Sequence, residues 1–253
     1  SSLNYGTDTS PEGRMVIRNL LLATEAGLGN GETCIFPIHV FKVKEGVNYN
    51  EGDPNYDLFK LSCKVSAKRL FPNYIFLDAP FNLQYYKPGH PETEVATMGC
   101  RTRVMGNVYD PTREISYSRG NLSFTSMNLP RLAIESNHDE KLFYQKLDKM
   151  LDLVANQLLD RFEIQAAKRV YNFPFLMGQG VWLDSDKLGP NDEVREVLKH
   201  GTLSIGFIGL AETLTALYGH HHGESDEMQQ KGLQIVKYMR DYCDRKSQEM
   251  KMN

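Results

Sequence analysis

The feature that most constrains this chain is an alternation, in its first third, of helical segments with short apolar runs. Residues 11–27 carry apolar side chains at helical spacing, and Ser10 is a suitable N-cap. Residues 34–41 (CIFPIHVF) are almost uninterruptedly apolar, which is typical of a buried strand. A second helix is predicted for residues 56–70 and a second buried strand for residues 74–77. This alternation predicts an α/β fold.

The remaining two thirds of the chain continue with strands, helices and turns. The pair Gly106-Asn107 gives a hairpin signal. Strands are predicted for residues 122–127, 173–177 and 203–209, and helices for residues 137–169, 210–218 and 225–250. Because no repeat and no low-complexity linker interrupts this pattern, we expect residues 1–253 to form one domain.

Charge and hydropathy exclude several classes of protein. The chain of 253 residues has 29 basic and 32 acidic residues, so its net charge of -3 provides no basic surface for nucleic acid. No stretch approaches the roughly 20 apolar residues that span a bilayer, and residues 1–4 (SSLN) do not resemble a signal peptide. We therefore expect a cytoplasmic protein without a membrane partner.

Four cysteines, at positions 34, 63, 100 and 243, are widely and irregularly spaced. Such spacing argues against a disulfide framework and against a zinc site, so we predict no metal site and a reducing compartment. A free cysteine is most often a buried core residue. From residue type alone, each of the four cysteines would therefore be interpreted as part of the core. Cys100 differs in that it follows Gly99, which permits a tight loop.

Five segments, in the same order along the chain, resemble the anaerobic, class III ribonucleoside-triphosphate reductases. They are residues 4–8 (NYGTD), 98–102 (MGCRT), 119–122 (RGNL), 126–131 (SMNLPR) and 204–212 (SIGFIGLAE). The resemblance extends over essentially all 253 residues. Each motif is weak by itself, and their common order is what identifies the family.

The resemblance implies part of a ten-stranded α/β barrel built from two five-stranded halves, with a finger loop inside it. In this family a glycyl radical near the end of the chain oxidises a finger-loop cysteine to a thiyl radical. The thiyl radical removes the 3′ hydrogen of the ribonucleotide, the 2′ hydroxyl leaves as water, and formate commonly supplies the electrons.

Two catalytic residues are carried over by the resemblance. Cys100 matches the finger-loop cysteine, and Asn121 matches the asparagine that would hydrogen-bond the ribose hydroxyls or formate. Without the resemblance, Asn121 after Gly120 would be interpreted as a turn residue.

Several family features have no counterpart in the sequence. They are the glycyl radical loop, the four-cysteine zinc site, the phosphate-binding loop, the nucleotide-sensing region and the second active-site cysteine. We therefore expect residues 1–253 to be a central-to-late barrel segment that does not turn over alone. The glycyl radical and the structural zinc would then be carried by residues outside this segment.

The resemblance also implies partners. A ribonucleoside triphosphate would be the substrate, nucleotide effectors would bind outside this segment, a radical S-adenosylmethionine enzyme would activate the protein, and the protein would be a homodimer. Two alternatives remain open. The chain could belong to another glycyl radical enzyme, such as a relative of formate lyase, or be a non-catalytic module that binds nucleotides or a reductase partner.

Overall fold

The computed structural model describes residues 2–99 and 102–253, which form two compact units. Unit 1 contains the residues up to Gly106 together with Thr112–Tyr117. Unit 2 contains Asn107–Pro111 and Ser118–Asn253. Both units combine helices with parallel strands, which confirms the predicted α/β class. The extension of this class to a single barrel domain stays a prediction.

Unit 1 is built around a parallel sheet in the order β1-β2-β3. Its elements are β1 (Ser2–Tyr5), α1 (Pro11–Ala26), β2 (Ile38–Val43), α2 (Tyr56–Arg69), β3 (Asn73–Phe76), α3 (Pro80–Leu83), β4 (Ala96–Met98) and β5 (Thr102–Val104). Helices α1 and α2 pack together over one face of the sheet, where Leu21, Phe41 and Val65 are fully buried. This arrangement, with helices between parallel strands, is what the alternating sequence pattern predicts.

The two predicted helices of unit 1 are confirmed to within one residue. The Ser10 hydroxyl accepts a hydrogen bond from the Gly13 amide at 3.1 Å and so caps α1. Gly27 ends the helix with φ of +83°, and a Cβ there would lie 2.6 Å from the carbonyl oxygen of Glu32. Glycine is therefore required at the end of α1.

The strand predictions were correct in place but not in their limits. Strand β2 begins at Ile38 rather than at residue 34, because Pro37 has no amide hydrogen to donate to a neighbouring strand. Strand β1 was missed, since its four residues lie in a polar, turn-rich stretch. It pairs with β2 from Ser2↔Ile38 to Tyr5↔Phe41.

A β-hairpin formed by β4 and β5 belongs to unit 1 and packs on the second face of its sheet. The two strands are antiparallel, with Met98 opposite Thr102. Val95, next to the hairpin, is buried against Val40 and Ile75 of the sheet. The hairpin predicted at Gly106-Asn107 was therefore misplaced, because Gly99 supplies the turn signal that precedes the second strand.

Within the described residues, unit 2 combines a pair of parallel strands with five α-helices. Its elements are β6 (Asn121–Asn128), α4 (Leu129–Ile134), α5 (Glu140–Ala166), α6 (Arg195–Leu198), β7 (Thr202–Ile208), α7 (Leu210–Tyr218) and α8 (Asp226–Met250). Leu147 and Leu151 of α5, Leu214 of α7 and Ile235 of α8 are fully buried in one core with Met127 of β6. The predicted strands and helices of this unit are confirmed with one exception.

The exception is residues 173–177, for which the strand prediction was wrong. This segment is a series of turns, in which the amides of Met177 and Gly178 both donate to the carbonyl oxygen of Phe173. Pro174 cannot donate to a strand, and Met177 is instead buried beside Trp182 in a second core of unit 2. An apolar run alone does not distinguish a strand from a buried turn.

Gly209 connects β7 to α7 and marks a close approach of two chain segments. Its φ is +77°, and a Cβ at this position would lie 2.2 Å from Cγ of Pro130. The glycine that breaks the predicted strand is thus required by the turn into the helix. Within the described residues, no helix has the length and hydropathy to cross a bilayer.

Candidate active site

The predicted radical cysteine, Cys100, and its neighbour Arg101 lie outside the described residues. The residues on both sides of them are described. Gly99 has φ of +58° and follows β4, and β5 begins at Thr102. In the sequence, Cys100 lies between these two described residues.

Asn121 is the first residue of β6, and its Cα is paired with that of Thr202, the first residue of β7. Leu203 and Ile205 pack against the core of unit 2, so Thr202 and Ser204 lie on the opposite face of β7. Because Asn121 is paired with Thr202, it lies at the beginning of that same face.

The polar atoms at this strand end are buried and lack partners. Oδ1 of Asn121 and Oγ1 of Thr202 both have no hydrogen-bond partner among the described residues. An unpaired buried polar group costs about 1–3 kcal/mol, so such groups usually have a functional reason. A carbonyl oxygen that accepts and a hydroxyl that can donate or accept are together suited to a hydroxyl-bearing ligand.

A buried histidine just before β7 was missed by the sequence analysis. The Nδ1 atom of His200 lies 3.1 Å from Nδ2 of Asn107, and its Nε2 atom lies 3.1 Å from Oδ2 of Asp184. Because Oδ1 of Asn107 accepts the amide of Asp110, its Nδ2 faces the histidine and donates to it. The ring hydrogen of His200 therefore lies on Nε2 and is donated to Asp184.

This histidine network supports the strand ends that carry Asn121 and Thr202. Nε of Arg119, two residues before β6, donates to the carbonyl oxygen of His200 at 2.8 Å. His200 is 1% exposed, and Arg119 is also buried. In the sequence, only the motif at residues 119–122 indicated this region. Asn107 and His200 are 93 positions apart, and no local sequence pattern predicts that they are in contact.

A second charged cluster lies in unit 1, where Glu94 is placed between two lysines. Oε1 of Glu94 is 2.9 Å from Nζ of Lys42, and its Oε2 is 3.3 Å from Nζ of Lys44. Burial alone would raise the pKa of Glu94, but the hydrogen bond and charge of Lys42, with those of Lys44, outweigh it and lower the pKa. The carboxylate is therefore ionised in the folded protein at neutral pH.

We expect Glu94→Gln to lower the free energy of unfolding by about 2 kcal/mol at pH 7, because it leaves two half-buried lysines without their counter-ion. A lowered pKa in the folded state stabilises the protein above the unfolded value of about 4.3, and the contribution is lost as pH falls through the folded pKa. Urea unfolding at pH 7 and below pH 4 should show the difference between wild type and variant shrinking in acid.

Glu249→Gln is the matched control for this measurement. Glu249 also lies 2.9 Å from a lysine, Lys246, but its side chain is 51% exposed, against 19% for Glu94. The control should change stability by less than about 0.5 kcal/mol. Equal effects of the two substitutions would show that burial does not strengthen the Glu94 pair.

No group of three or more histidine, cysteine, aspartate or glutamate side chains within residues 2–99 and 102–253 is arranged to hold a metal ion. The structural zinc implied by the resemblance thus has no fitting ligand set in this part of the chain. Cys63 is exposed, and Cys34 and Cys243 are half-buried free thiols.

Comparison with known proteins identifies the family. The sequence profile of the anaerobic ribonucleoside-triphosphate reductases matches residues 1–253. The enzyme of that name from Escherichia coli is 32% identical over 252 residues, which cover 98% of this chain and 34% of the relative. The one from Enterobacteria phage T4 is 32% identical over 229 residues, which cover 88% of this chain and 36% of the relative.

A solved structure shows the same fold. The anaerobic ribonucleotide reductase from Thermotoga maritima, crystallised with citrate in its active site, superposes with a TM-score of 0.57 at 14% sequence identity. The match covers 98% of this chain and 44% of that one. The chain spans about a third of the length of its curated relatives. With its whole length matched by the family profile, the chain belongs to the anaerobic ribonucleoside-triphosphate reductases.

Proposed function

We propose that this chain is the part of an anaerobic ribonucleoside-triphosphate reductase that holds the substrate-attacking thiol and a ribose-binding amide. The observation that carries the proposal is the buried Oδ1 of Asn121, which has no donor among the described residues. A ribose hydroxyl would supply the missing donor. Membership of the family supports this assignment of the ligand.

Cys100 is proposed to carry the reaction as a thiyl radical. Its sulfur takes the 3′ hydrogen atom of the ribonucleotide, the 2′ hydroxyl leaves as water, and the hydrogen atom is later returned to C3′. Formate supplies the two electrons and is oxidised to carbon dioxide. The sum is ribonucleotide, formate and one proton giving deoxyribonucleotide, carbon dioxide and water. A site that excludes water and oxygen is needed, since radical intermediates react with unwanted partners.

Asn121 is proposed to orient the sugar during this reaction. An amide side chain can accept from one hydroxyl through Oδ1 and donate to another acceptor through Nδ2. Thr202, paired with Asn121 across the two strands, has a second unpartnered oxygen for the same ligand. Formate is the other candidate ligand, because its oxygens can accept from Nδ2 of Asn121 and from the Thr202 hydroxyl, but only a hydroxyl of the sugar would supply the donor that Oδ1 of Asn121 lacks.

The finer architecture is part of the same proposal. We propose that both units belong to one ten-stranded barrel domain and that the β4–β5 hairpin is its finger loop. The glycyl radical and the structural zinc are assigned to residues outside this segment. The complete protein is proposed to be a cytoplasmic homodimer that is activated by a radical S-adenosylmethionine enzyme and regulated by nucleotides bound outside this segment.

A substrate screen tests the function. The complete natural protein is activated anaerobically, its glycyl radical is counted by electron paramagnetic resonance, and it is given either ribonucleoside triphosphates with formate or small organic acids with coenzyme A. We expect deoxyribonucleotides from the first mixture and no product from the second. Turnover of small acids alone would assign the chain to a formate-lyase relative. A full radical signal without any product would indicate a non-catalytic module.

A further inference from the structure

The β4–β5 hairpin, whose strands flank Cys100 in the sequence, is held on the sheet of unit 1 through a side-chain amide on β1. Asn4 Nδ2 donates to the carbonyl oxygen of Thr97 at 2.8 Å, and Asn4 Oδ1 accepts from the Thr97 amide at 3.1 Å. The Thr97 hydroxyl donates to the same Oδ1 at 3.1 Å. Asn4 thus pairs with the Thr97 peptide as a neighbouring strand would, although β1 and β4 are not paired through their backbones.

The second strand of the hairpin has an attachment of its own. Nη1 of Arg103 donates to Oδ1 of Asn82 at 2.7 Å, and its guanidinium lies 5.0 Å from the ring centre of Phe81. Nδ2 of Asn82 donates to the carbonyl oxygen of Phe76, at the end of β3, also at 2.7 Å. Both strands of the hairpin are therefore fixed to the sheet by asparagine side chains. Asn4 lies on β1 and Asn82 is bonded to the end of β3, and β1 and β3 are the two outer strands of the sheet.

An open pocket borders the hairpin, so polar contacts on this side add to the apolar packing of the hairpin on the sheet. This open pocket of about 200 Å³ lies in unit 1 next to Thr97 and Arg103, and Val40, Ile75 and Phe76 of the sheet also line it. Together with the apolar contact of Val95, the directional hydrogen bonds of Asn4 and Asn82 determine where the hairpin lies on the sheet.

We propose that Asn4 is a positioning residue for Cys100, which acts through Thr97, three residues before the cysteine. This inference rests on the proposed function only for the catalytic role that is assigned to Cys100. Hydrogen-atom transfer requires the sulfur and the substrate carbon at contact distance, and a misplacement of about 1 Å can cost a factor of about 100 in rate. Asn4 belongs to the motif at residues 4–8, which the proposed chemistry does not otherwise use.

The test compares thiol reactivity with activity in the complete natural protein. In Asn4→Ala we expect the rate of Cys100 alkylation by iodoacetamide, followed by peptide mass spectrometry, to rise at least about 10-fold. The alkylation rates of Cys63, which is exposed, and Cys243, which is half-buried in unit 2, should not change. After activation, kcat should fall by about 100-fold with KM for the nucleotide within about 2-fold of wild type.

Two further variants make the test robust. Thr97→Val removes only the hydroxyl that donates to Asn4, so its alkylation rate should lie between wild type and Asn4→Ala and show the role even if Asn4→Ala folds poorly. Asn19→Ala is the control, because Asn19 is an exposed asparagine whose side chain, within the described part of the chain, bonds only the Met15 carbonyl of its own helix. It should match wild type in both readouts.

Each outcome decides the proposal. Unchanged Cys100 reactivity and unchanged kcat in Asn4→Ala would overturn it. Equal acceleration at Cys100 and Cys243 would also overturn it, since that pattern indicates general loosening rather than a displaced hairpin. Because alkylation does not depend on turnover, it reports on Asn4 even if the substrate screen were to reject nucleotide reduction.

Discussion

Cys100→Ser should abolish deoxyribonucleotide formation, with a loss of at least about 10⁴-fold, as is usual when the atom that makes and breaks bonds with substrate is removed. A serine hydroxyl has the same shape but a much stronger O–H bond, so it cannot be oxidised to a radical by the same route. The measurement is anaerobic product formation by the activated complete protein, normalised to its glycyl radical signal.

Normalisation to the radical separates chemistry from activation. We expect the radical to form in Cys100→Ser as in wild type, because the proposed radical site lies elsewhere in the protein. Cys63→Ser is the control, since that thiol is exposed on α2 and should be dispensable. Deoxyribonucleotide production by Cys100→Ser at more than a few per cent of the wild-type rate would remove Cys100 from the mechanism.

Asn121→Ala should lower kcat/KM by about 100-fold, the size of effect expected for one positioned hydrogen-bonding group in a buried site. Its effect on stability should be the opposite of a normal core substitution. Because Oδ1 of Asn121 has no donor among the described residues, its removal relieves an unpaired buried acceptor. The free energy of unfolding should therefore stay the same or rise.

The other end of the same strand offers a matched control. Oδ1 of Asn128 accepts the amide of Arg131 at 3.1 Å and caps α4. Asn128→Ala should cost about 1 kcal/mol of stability and leave kcat/KM within a few-fold of wild type. If Asn121→Ala instead lowered stability and preserved kcat/KM, the asparagine would be a structural turn residue.

The helices of this chain were predictable because their signals are local. Ser10 and Ser225 cap α1 and α8 through their own side chains, and Gly27 supplies the positive φ at which α1 ends. Such contacts join residues three or four positions apart, so they can be recognised from the sequence at that spacing. The limits of the corresponding helices were therefore correct to within about one residue.

The strands were less predictable because pairing is decided by distant residues. Residues 2–5 (SLNY) lie in a polar, turn-rich stretch and form β1 because β2 offers a parallel partner 36 positions later. Residues 173–177 have the apolar content of a strand but no neighbour to pair with, and their amides turn back on Phe173. Local composition cannot distinguish these two cases.

The site was predictable to the extent that motifs resemble those of a family. That resemblance selected Cys100 and Asn121, and neither could have been chosen from residue type alone. The features that physical reasoning adds, the unpartnered oxygens at Asn121 and Thr202 and the His200 network, depend on contacts between residues far apart in the chain. Their chemistry is visible only after folding.

The division of the chain into units has a consequence for dissecting the protein. Residues Asn107–Pro111 belong to unit 2, yet they are flanked on both sides by residues of unit 1. The Asn107 side chain donates to His200, and the Val108 amide donates to Oδ1 of Asn253. A fragment that begins at Ser118 would omit both donors, so unit 2 cannot be excised with a single cut without exposing its buried histidine. Any minimal version of this unit must add residues 107–111 back, either by circular permutation or as a separate peptide.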